Sequence, residues 1–361
     1  MVVTSLLRTL GRPIVAAPMA GGPSTPELVA AVGDVGGLGF LAGGYLSPDQ
    51  LVERIEQTRD LTDAAFGVNL FVPADLDRDR DLAAVQEYAD QLRFGARRLG
   101  AKLGRVDWHD RDHFEDKVTL LLDDPVPVVS FTFGLPPEHV IEALHGCGTE
   151  VVITVTDPDE ALAAARAGAD ALCIQGVAAG GHRSTHDAAA IPNEDSWTEL
   201  LRRCRSVAAL PLIVCGGIMT RAQVEFALQS GAVAVQCGTA FLLTDEAGTS
   251  AAAREGLTDR ALTRSVVTRA FSGRPARGVR NEFIEQFDEF APPVYPVVDQ
   301  ITKPIRAAAA ADGNYQWLSL WAGTGWESAR TGPAAAVVEV LHPARLVRPQ
   351  PVGPDDGADL D

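Results

Sequence analysis

The chain has 361 residues, 46% of them hydrophobic, and a formal net charge of −17. That length exceeds the roughly 250 residues of a plain (β/α)8 barrel, so one barrel with an insertion or a small second domain is expected rather than two equal domains. The acidic balance argues against nucleic acid as a partner, because little is present to neutralise backbone phosphates, and an anionic ligand would need helix N-termini or a few placed cations.

Short apolar runs alternate with helix patterns rich in alanine and leucine, the signature of an α/β chain. Strands are expected at 13–19, 38–44, 66–72, 128–134, 151–155, 171–176, 212–216 and 233–238. Many are continuously apolar, as parallel strands covered on both faces should be. The fold expected is a (β/α)8 TIM barrel with a smaller helical cap. Two strand-to-strand gaps are long, 62 residues from Phe66 to Val128 and 41 from Ala171 to Leu212. Insertions after barrel strands shape active sites. The polar stretch 75–116 reads as helical, with Trp108 to His113 as a solvated helix face, and 244–330 reads as largely helical. The expected division is a barrel of 1–74 and 117–243, a helical cap and substrate domain of 75–116 and 244–345, and a disordered tail of 346–361, where Pro, Gly and Asp dominate.

No basic segment followed by a long apolar run opens the chain, and no apolar run reaches the length of a membrane span. A cytoplasmic protein with no membrane partner is expected, its oligomeric state open. Five cysteines without a CxxC pair suit a reducing compartment, and Cys173, Cys215 and Cys237 lie in strand patterns as buried thiols.

Two strand ends carry the strongest functional signal. Leu212 to Ile218 and Ala234 to Thr239 each break at glycine, at Gly216-Gly217 and Gly238, with a helix pattern between them. Glycine there lets backbone N–H groups turn toward a ligand, and such turns after strands 7 and 8 of a barrel hold phosphate. After strand 6 comes Gly180-Gly181-His182-Arg183-Ser184-Thr185. Its glycines admit a flat ligand, and a histidine there can move a proton near neutral pH; a hydrogen-bonded loop histidine is the plainer alternative. His182 with His186, and His109 with His113, have metal-ligand spacing, but neither pair has a third ligand nearby and no metal is expected. Met19 and Ala20 end strand 1 in a small-residue turn. Asn69 is a lone polar residue in an apolar strand and needs partners if it points inward; a ligand and a core hydrogen bond are both open. The glycines at 33–39 precede a strand instead of opening a helix, which rules out a dinucleotide fingerprint.

Taken in order, these segments resemble the nitronate monooxygenase family, and most of all its class I members. The matching stretches are Ala17-Pro18-Met19-Ala20-Gly21-Gly22, Gly36-Gly37-Leu38-Gly39, Asn69-Leu70-Phe71-Val72-Pro73, Val129 to Gly134 and Gly180-Gly181-His182-Arg183. The two phosphate turns, Phe271-Ser272-Gly273-Arg274 and Ser319 to Gly323 complete the set, which spans nearly the whole chain. The resemblance implies FMN, held without a covalent bond, and oxidation of alkyl nitronates such as propionate 3-nitronate with O2 to a carbonyl product and nitrite. It implies that Met19, Ala20, Asn69 and Gln175 contact the ring or ribityl chain, and that Gly180, Gly217, Gly238 and Thr239 hold the ribityl and phosphate end, with Gly181, Gly216 and Gln236 alongside. His182 matches the family's active-site histidine, the base when the substrate is a neutral nitroalkane. Lys303 is the candidate cation for the anionic substrate, with Tyr295 as a wall; a surface lysine is the alternative. Thr132 and Ser184 depart from residues common in relatives, so the substrate range can differ. The rival readings are an FMN-dependent enoyl-acyl-carrier reductase using NAD(P)H, a flavin-binding protein without turnover, and a flavin-free phosphate-sugar barrel.

Overall fold

The computed structural model describes residues 5–344; the predicted tail, 346–361, lies outside them. Within these residues the strands are β1 (Ile14–Ala16), β2 (Leu38–Ala42), β3 (Phe66–Phe71), β4 (Val128–Thr132), β5 (Glu150–Val155), β6 (Ala171–Gln175), β7 (Gly181–His182), β8 (Leu212–Cys215), β9 (Ala234–Cys237), β10 (Ser265–Thr268) and β11 (Ala276–Val279). All but β7, β10 and β11 form a closed parallel barrel in the order β1-β2-β3-β4-β5-β6-β8-β9, and β1 closes on β9 with Val15 opposite Gln236. Each of the eight expected strands is present in the barrel.

The helices are α1 (Leu6–Thr9), α2 (Pro26–Asp34), α3 (Pro48–Leu61), α4 (Arg78–Arg98), α5 (Phe114–Asp123), α6 (Glu138–Gly146), α7 (Pro158–Arg166), α8 (Trp197–Arg205), α9 (Arg221–Gln229), α10 (Ala251–Thr258), α11 (Glu282–Phe287), α12 (Val297–Ala311) and α13 (Ala334–Leu341). Their starts follow local chemistry. Thr25, Ser47 and Asp157 accept a backbone N–H ahead of a proline in the first turn, and Ser47 and Thr220 form full capping boxes. No helix among the described residues is long and apolar enough to cross a membrane.

Alternation along the strands sends Val15, Leu38, Phe40, Val128, Val152, Cys173, Ile213 and Ala234 into the barrel interior, where they form one buried cluster with Leu7 of α1. Glu150 accepts from Ser5 Oγ (2.9 Å) and from the Leu6 N–H, fixing α1 across the N-terminal end. The same face of the strands, one step nearer their C-terminal ends, carries Asn69, Ser130, Gln175 and Gln236. The apolar filling therefore gives way to amides and a hydroxyl where the barrel opens.

A second apolar cluster joins α4 to the chain after β9. It contains Tyr88, Leu92, Phe271, Phe283, Phe287, Ile301, Ile305 and Trp317, all buried. Phe271 and Phe283 stack at 4.5 Å. The stretch 244–330 is less uniformly helical than expected: it contains the antiparallel hairpin β10–β11, which adds to β7 as a three-stranded sheet in the order β10-β11-β7. The run Ser265-Val266-Val267-Thr268 is largely β-branched, which favours a pleated strand over a helix.

Three further boundaries shift. Helix α5 begins at Phe114, so the expected barrel segment starting at 117 opens inside a helix whose Phe114, Val118 and Leu121 belong to the barrel cluster. Helix α13, expected with the cap segment 244–345, packs on α2 and α9 and buries Val337, Val338 and Leu341 in that same cluster. The solvated helix face expected from Trp108 to His113 is a turn, with Asp112 and His113 at φ of 53° and 52°.

Helix α12 contains Pro304, which removes the bond its N–H would make to the Gln300 carbonyl. The 100–107 segment packs at that interruption. The Gly104 N–H donates to the Ile301 carbonyl (3.0 Å), and a Cβ on Gly104 would lie 1.8 Å from the Gln300 oxygen. Gly104→Ala is therefore expected to destabilise the protein by about 1–3 kcal/mol. Gly146→Ala, with nothing within 4 Å of the added Cβ, is expected to be neutral or stabilising by up to about 1 kcal/mol. Thermal unfolding of both checks this; equal midpoints would refute the close approach.

Candidate active site

The glycine turns converge at the C-terminal mouth. Gly217 has φ 69°, and a Cβ on it would lie 3.0 Å from Ala178 Cβ and 3.1 Å from Thr324 Oγ1. A Cβ on Gly180 would lie 2.5 Å from the Ala322 carbonyl carbon, so the loop after β6 packs backbone to backbone on residues 322–323. Thr239 Oγ1 accepts from the Gly323 N–H (2.9 Å), and the Thr324 N–H donates to the Ala178 carbonyl (3.1 Å). Among the described residues, the N–H groups of Gly217, Gly238 and Thr239 meet no backbone acceptor. Three free donors on adjoining turns make a cradle for one anionic group.

Met19 stands beside this cradle, its Sδ 3.5 Å from where a Gly238 Cβ would lie. Ser24 ties the turn after β1, accepting from the Met19 N–H at 2.8 Å, with Ala20 at its start. Asn69 is 2% exposed, and its Nδ2 donates to Ser130 Oγ (2.9 Å), Thr132 Oγ1 (3.0 Å) and the Ser130 carbonyl (3.2 Å). With Nδ2 saturated on the barrel side, Oδ1 remains as an acceptor. Thr132 thus supports Asn69.

His182 is fixed by an arrangement that motif spacing does not show. Its strand, β7, pairs with β11, Gly181 opposite Arg277 and His182 opposite Ala276. The Arg183 N–H donates to the Pro275 carbonyl (2.7 Å), and Gln175 Nε2 donates to the His182 carbonyl (2.9 Å). Gln175 Oε1 accepts from the Ser184 N–H (2.9 Å) and Arg183 Nη1 (3.1 Å). The Gln175 amide thereby fastens the histidine loop, with the second Nε2 hydrogen left over. The imidazole sits among Phe133, Tyr295 and Trp321, with ring centroids 5.6, 5.7 and 5.5 Å away. Its Nε2 lies 2.8 Å from Ser272 Oγ, which also donates to the Arg274 carbonyl (3.2 Å). The tautomer consistent with that donation has the imidazole proton on Nε2 and the lone pair on Nδ1. His186 turns away, its Nε2 3.0 Å from the Thr154 carbonyl.

Two arginines border the histidine. Arg183 and Arg274 are both 0% exposed, and neither has a carboxylate partner among the described residues. Arg183 Nη1 donates to the Gly176 carbonyl (2.8 Å), and Arg274 Nη1 to the Thr185 carbonyl (2.7 Å). Nε and Nη2 of each are without a protein partner. The Arg274 guanidinium lies 4.0 Å from the Phe133 ring centre and 5.6 Å from that of Tyr295. Burial lowers Arg274 to about 10, which leaves it charged at neutral pH. Burial first, then the Arg274 and Arg306 charges, push His182 down to about 3. The histidine is neutral in the folded protein at any ordinary pH.

Tyr295, read as a substrate wall, lies beside His182. Lys303 is exposed, with Nζ 5.9 Å from the ring centre of Tyr45; Arg274 is the cation next to the histidine. Sequence reasoning missed Tyr45, Phe133, Ser272 and Arg274 as site residues. Phe133, Ser272 and Arg274 stood inside matching stretches, and the signal for Tyr45 was the pair Gly43-Gly44 at the end of β2.

The depressed histidine has a stability consequence. An unfolded His182 takes a proton below its ordinary value of 6.5, whereas the folded one does so only near 3. Between those values the unfolded state binds more protons, so stability rises with pH, is fully present above 6.5 and is lost progressively on acidification. Urea midpoints of the flavin-free protein should fall from pH 7 to pH 4, and His182→Asn should fall less. Equal losses in the two proteins would refute a neutral His182 in the folded state.

Residues 4–343 match the family model described as nitronate monooxygenase. A probable nitronate monooxygenase of Staphylococcus saprophyticus is 37% identical over 325 residues, covering 89% of this chain and 90% of that protein. One from Staphylococcus aureus is 36% identical over 330 residues, covering 90% and 92%. Among solved structures, nitroalkane oxidase from Streptomyces ansochromogenes superposes with a TM-score of 0.89 at 44% identity, over 94% of this chain and 97% of that one. FabK from Thermotoga maritima gives 0.72 at 26% identity, over 93% of each chain. The chain belongs to the nitronate monooxygenase family and is a flavin-dependent oxidoreductase.

Proposed function

We propose that this protein uses FMN and O2 to oxidise alkyl nitronates, propionate 3-nitronate among them, to a carbonyl product and nitrite. The observation that carries the reading is His182 set among three aromatic rings beside a buried arginine that has no acidic partner among the described residues. A nitronate is a small, electron-rich anion. Arg274 supplies an unneutralised positive charge, while the nearby carboxylates Asp112 and Asp299 are each paired with a cation, Lys117 and Arg306; attraction of an anion to such an arginine strengthens as water is excluded.

FMN, when bound, supplies the electron acceptor for the substrate and the route to O2. The protein fits it. Gly217, Gly238 and Thr239 would hold its phosphate, with Gly180, Gly181 and Gly216 shaping the turns around them. Asn69 Oδ1 and Gln236 face the interior of the mouth, where the ring edge would lie, with Met19 and Ala20 at its side. Gln175 holds His182 in place. Residues 75–116 and 244–330 form the cap that excludes water.

The role of His182 depends on the substrate. A preformed nitronate has no proton to lose, and His182 orients it. A neutral nitroalkane must give up its α-proton, and the free Nδ1 lone pair takes it. Oxygen uptake by FMN-loaded protein should be rapid with propionate 3-nitronate in the absence of NADH, with nitrite released. His182→Asn should keep nitronate turnover within about tenfold while losing about a hundredfold or more with nitroethane, the usual share of a general base. No oxygen uptake, with NADH oxidised instead when supplied, would overturn this reading in favour of a flavin reductase.

A further inference from the structure

Four non-glycine residues among those described have a positive φ, and three of them belong to one place: Tyr45 (67°), Asp112 (53°) and Phe133 (81°). Bulky residues seldom adopt this geometry, and it persists where the surroundings impose it. For Tyr45 the imposing group is identifiable. Asp112 Oδ1 accepts from the Tyr45 N–H at 2.8 Å. Asp112 Oδ2 pairs with Lys117 Nζ at 2.9 Å, and Lys117, fully buried, also donates to the Gly43 carbonyl at 2.9 Å. An ion pair from the 110–117 segment thus grips the end of β2 on both sides of Gly44.

The grip aims the tyrosine. The Tyr45 ring meets Phe71 edge-on at 5.5 Å, and its hydroxyl lies 3.3 Å from that of Tyr295, the residue beside His182. Tyr45, Phe71, Pro73, Asp112, Arg274 and Tyr295 line a single cavity. Two hydroxyls carry two protons, and the bond between them uses one. The other is available to a ligand in that cavity, with Arg274 on one side and Lys303 on the other.

We propose that Tyr45 is a substrate-binding residue, that the Tyr45–Tyr295 hydroxyl pair donates its free O–H to the negatively charged oxygens of the nitronate, and that the Lys117–Asp112 pair is the positioning device that holds Tyr45 there. This rests on the function proposed above. Burial and the charge of Asp299 push both hydroxyls up, so both remain protonated donors.

The test uses FMN-loaded protein and nitrate, a planar anion with oxygens on nitrogen that cannot be oxidised, titrated against the flavin absorbance. Tyr45→Phe should weaken nitrate about tenfold and raise the KM for nitronate by a similar factor, the effect of one hydrogen bond to a charge, with kcat within about threefold. Asp112→Asn should shift both in the same direction. The double variant should be no more than about twofold worse than the weaker single one, because the two residues act through one contact. Should the lone Lys117 charge keep Asp112→Asn from folding, Lys117→Met with Asp112→Leu removes the tether without leaving a charge unpaired. Unchanged nitrate affinity in Tyr45→Phe, or no flavin response to nitrate in the wild type, overturns the assignment of Tyr45. Tether variants that lower the unfolding midpoint but leave nitrate affinity intact overturn the positioning role. A wild type that binds nitrate with these shifts but takes up no O2 with nitronates overturns the proposed function and leaves the anion site standing.

Discussion

Two residues of strand pairing, Gly181 and His182 of β7 against Arg277 and Ala276 of β11, hold the barrel and the chain after β9 in one register. Loops after barrel strands are ordinarily the mobile part of this fold. Here the loop after β6 is tied into a sheet whose other strands come from nearly a hundred residues further along the chain. The tie is reinforced from three directions: Gln175 donates to the His182 carbonyl, Arg277 Nε donates to the Val177 carbonyl at 2.9 Å, and Gly180 rests on the Ala322–Gly323 backbone. A side chain that must meet a reacting atom within a fraction of an ångström needs this kind of support. The imidazole gains its orientation from the backbone ladder and from the Ser272 hydroxyl at its Nε2, so that orientation does not depend on the ligand.

The electrostatics follow from the same tie. Arg183 enters the buried space because it comes next after β7, and Arg274 because it precedes β11 by two residues. In a chain with a net charge of −17, carboxylates could easily have been placed opposite them. Instead the guanidinium groups are anchored by backbone carbonyls and, for Arg274, by the Phe133 ring. Carbonyl dipoles and a ring face offset part of the desolvation cost without cancelling the charge. Asp112 and Asp299, the carboxylates nearest the tyrosines, are matched by Lys117 and Arg306, so the Arg274 charge is left for an anionic substrate to meet on leaving water.

The barrel was legible in the sequence because its signals are local. Continuous apolar runs, glycine at strand ends and Thr25, Ser47, Asp157 and Thr220 before their helices each report on the residues beside them. The glycine turns at the barrel mouth and the loop that carries His182 were legible for the same reason, since both lie within a few residues of a strand end. The hairpin β10–β11 was not, because its pairing with β7 is a long-range contact that leaves no periodicity behind. The bonds of Gln175 to His182 and Ser184 were hidden for the same reason, since that pairing brings both partners back to it. Tyr45 and Asp112 were missed because their meeting depends on a turn at 107–113 that reads as a charged helix face. Lys117 was hidden within Phe114-Glu115-Asp116-Lys117-Val118, an amphipathic helix start in which one lysine looks like any other solvated charge.

The neutrality of His182 bears on which substrate the site suits. A base whose proton affinity has been lowered to about 3 takes a proton from a neutral nitroalkane only against a gradient, since the imidazolium must form beside Arg274 in a space that already disfavours charge. The nitronate created in the same step offsets this: its negative charge arises next to the new imidazolium and next to the arginine, and the low local dielectric strengthens both attractions. A preformed nitronate needs none of this compensation, because it arrives with the charge that the arginine and the tyrosine hydroxyls are placed to receive. On the proposed reading, then, the burial that makes His182 a weak base is the same burial that makes the site receptive to an anion. A site of this construction serves the ionised substrate directly, and the neutral one only by way of the ion pair it forms.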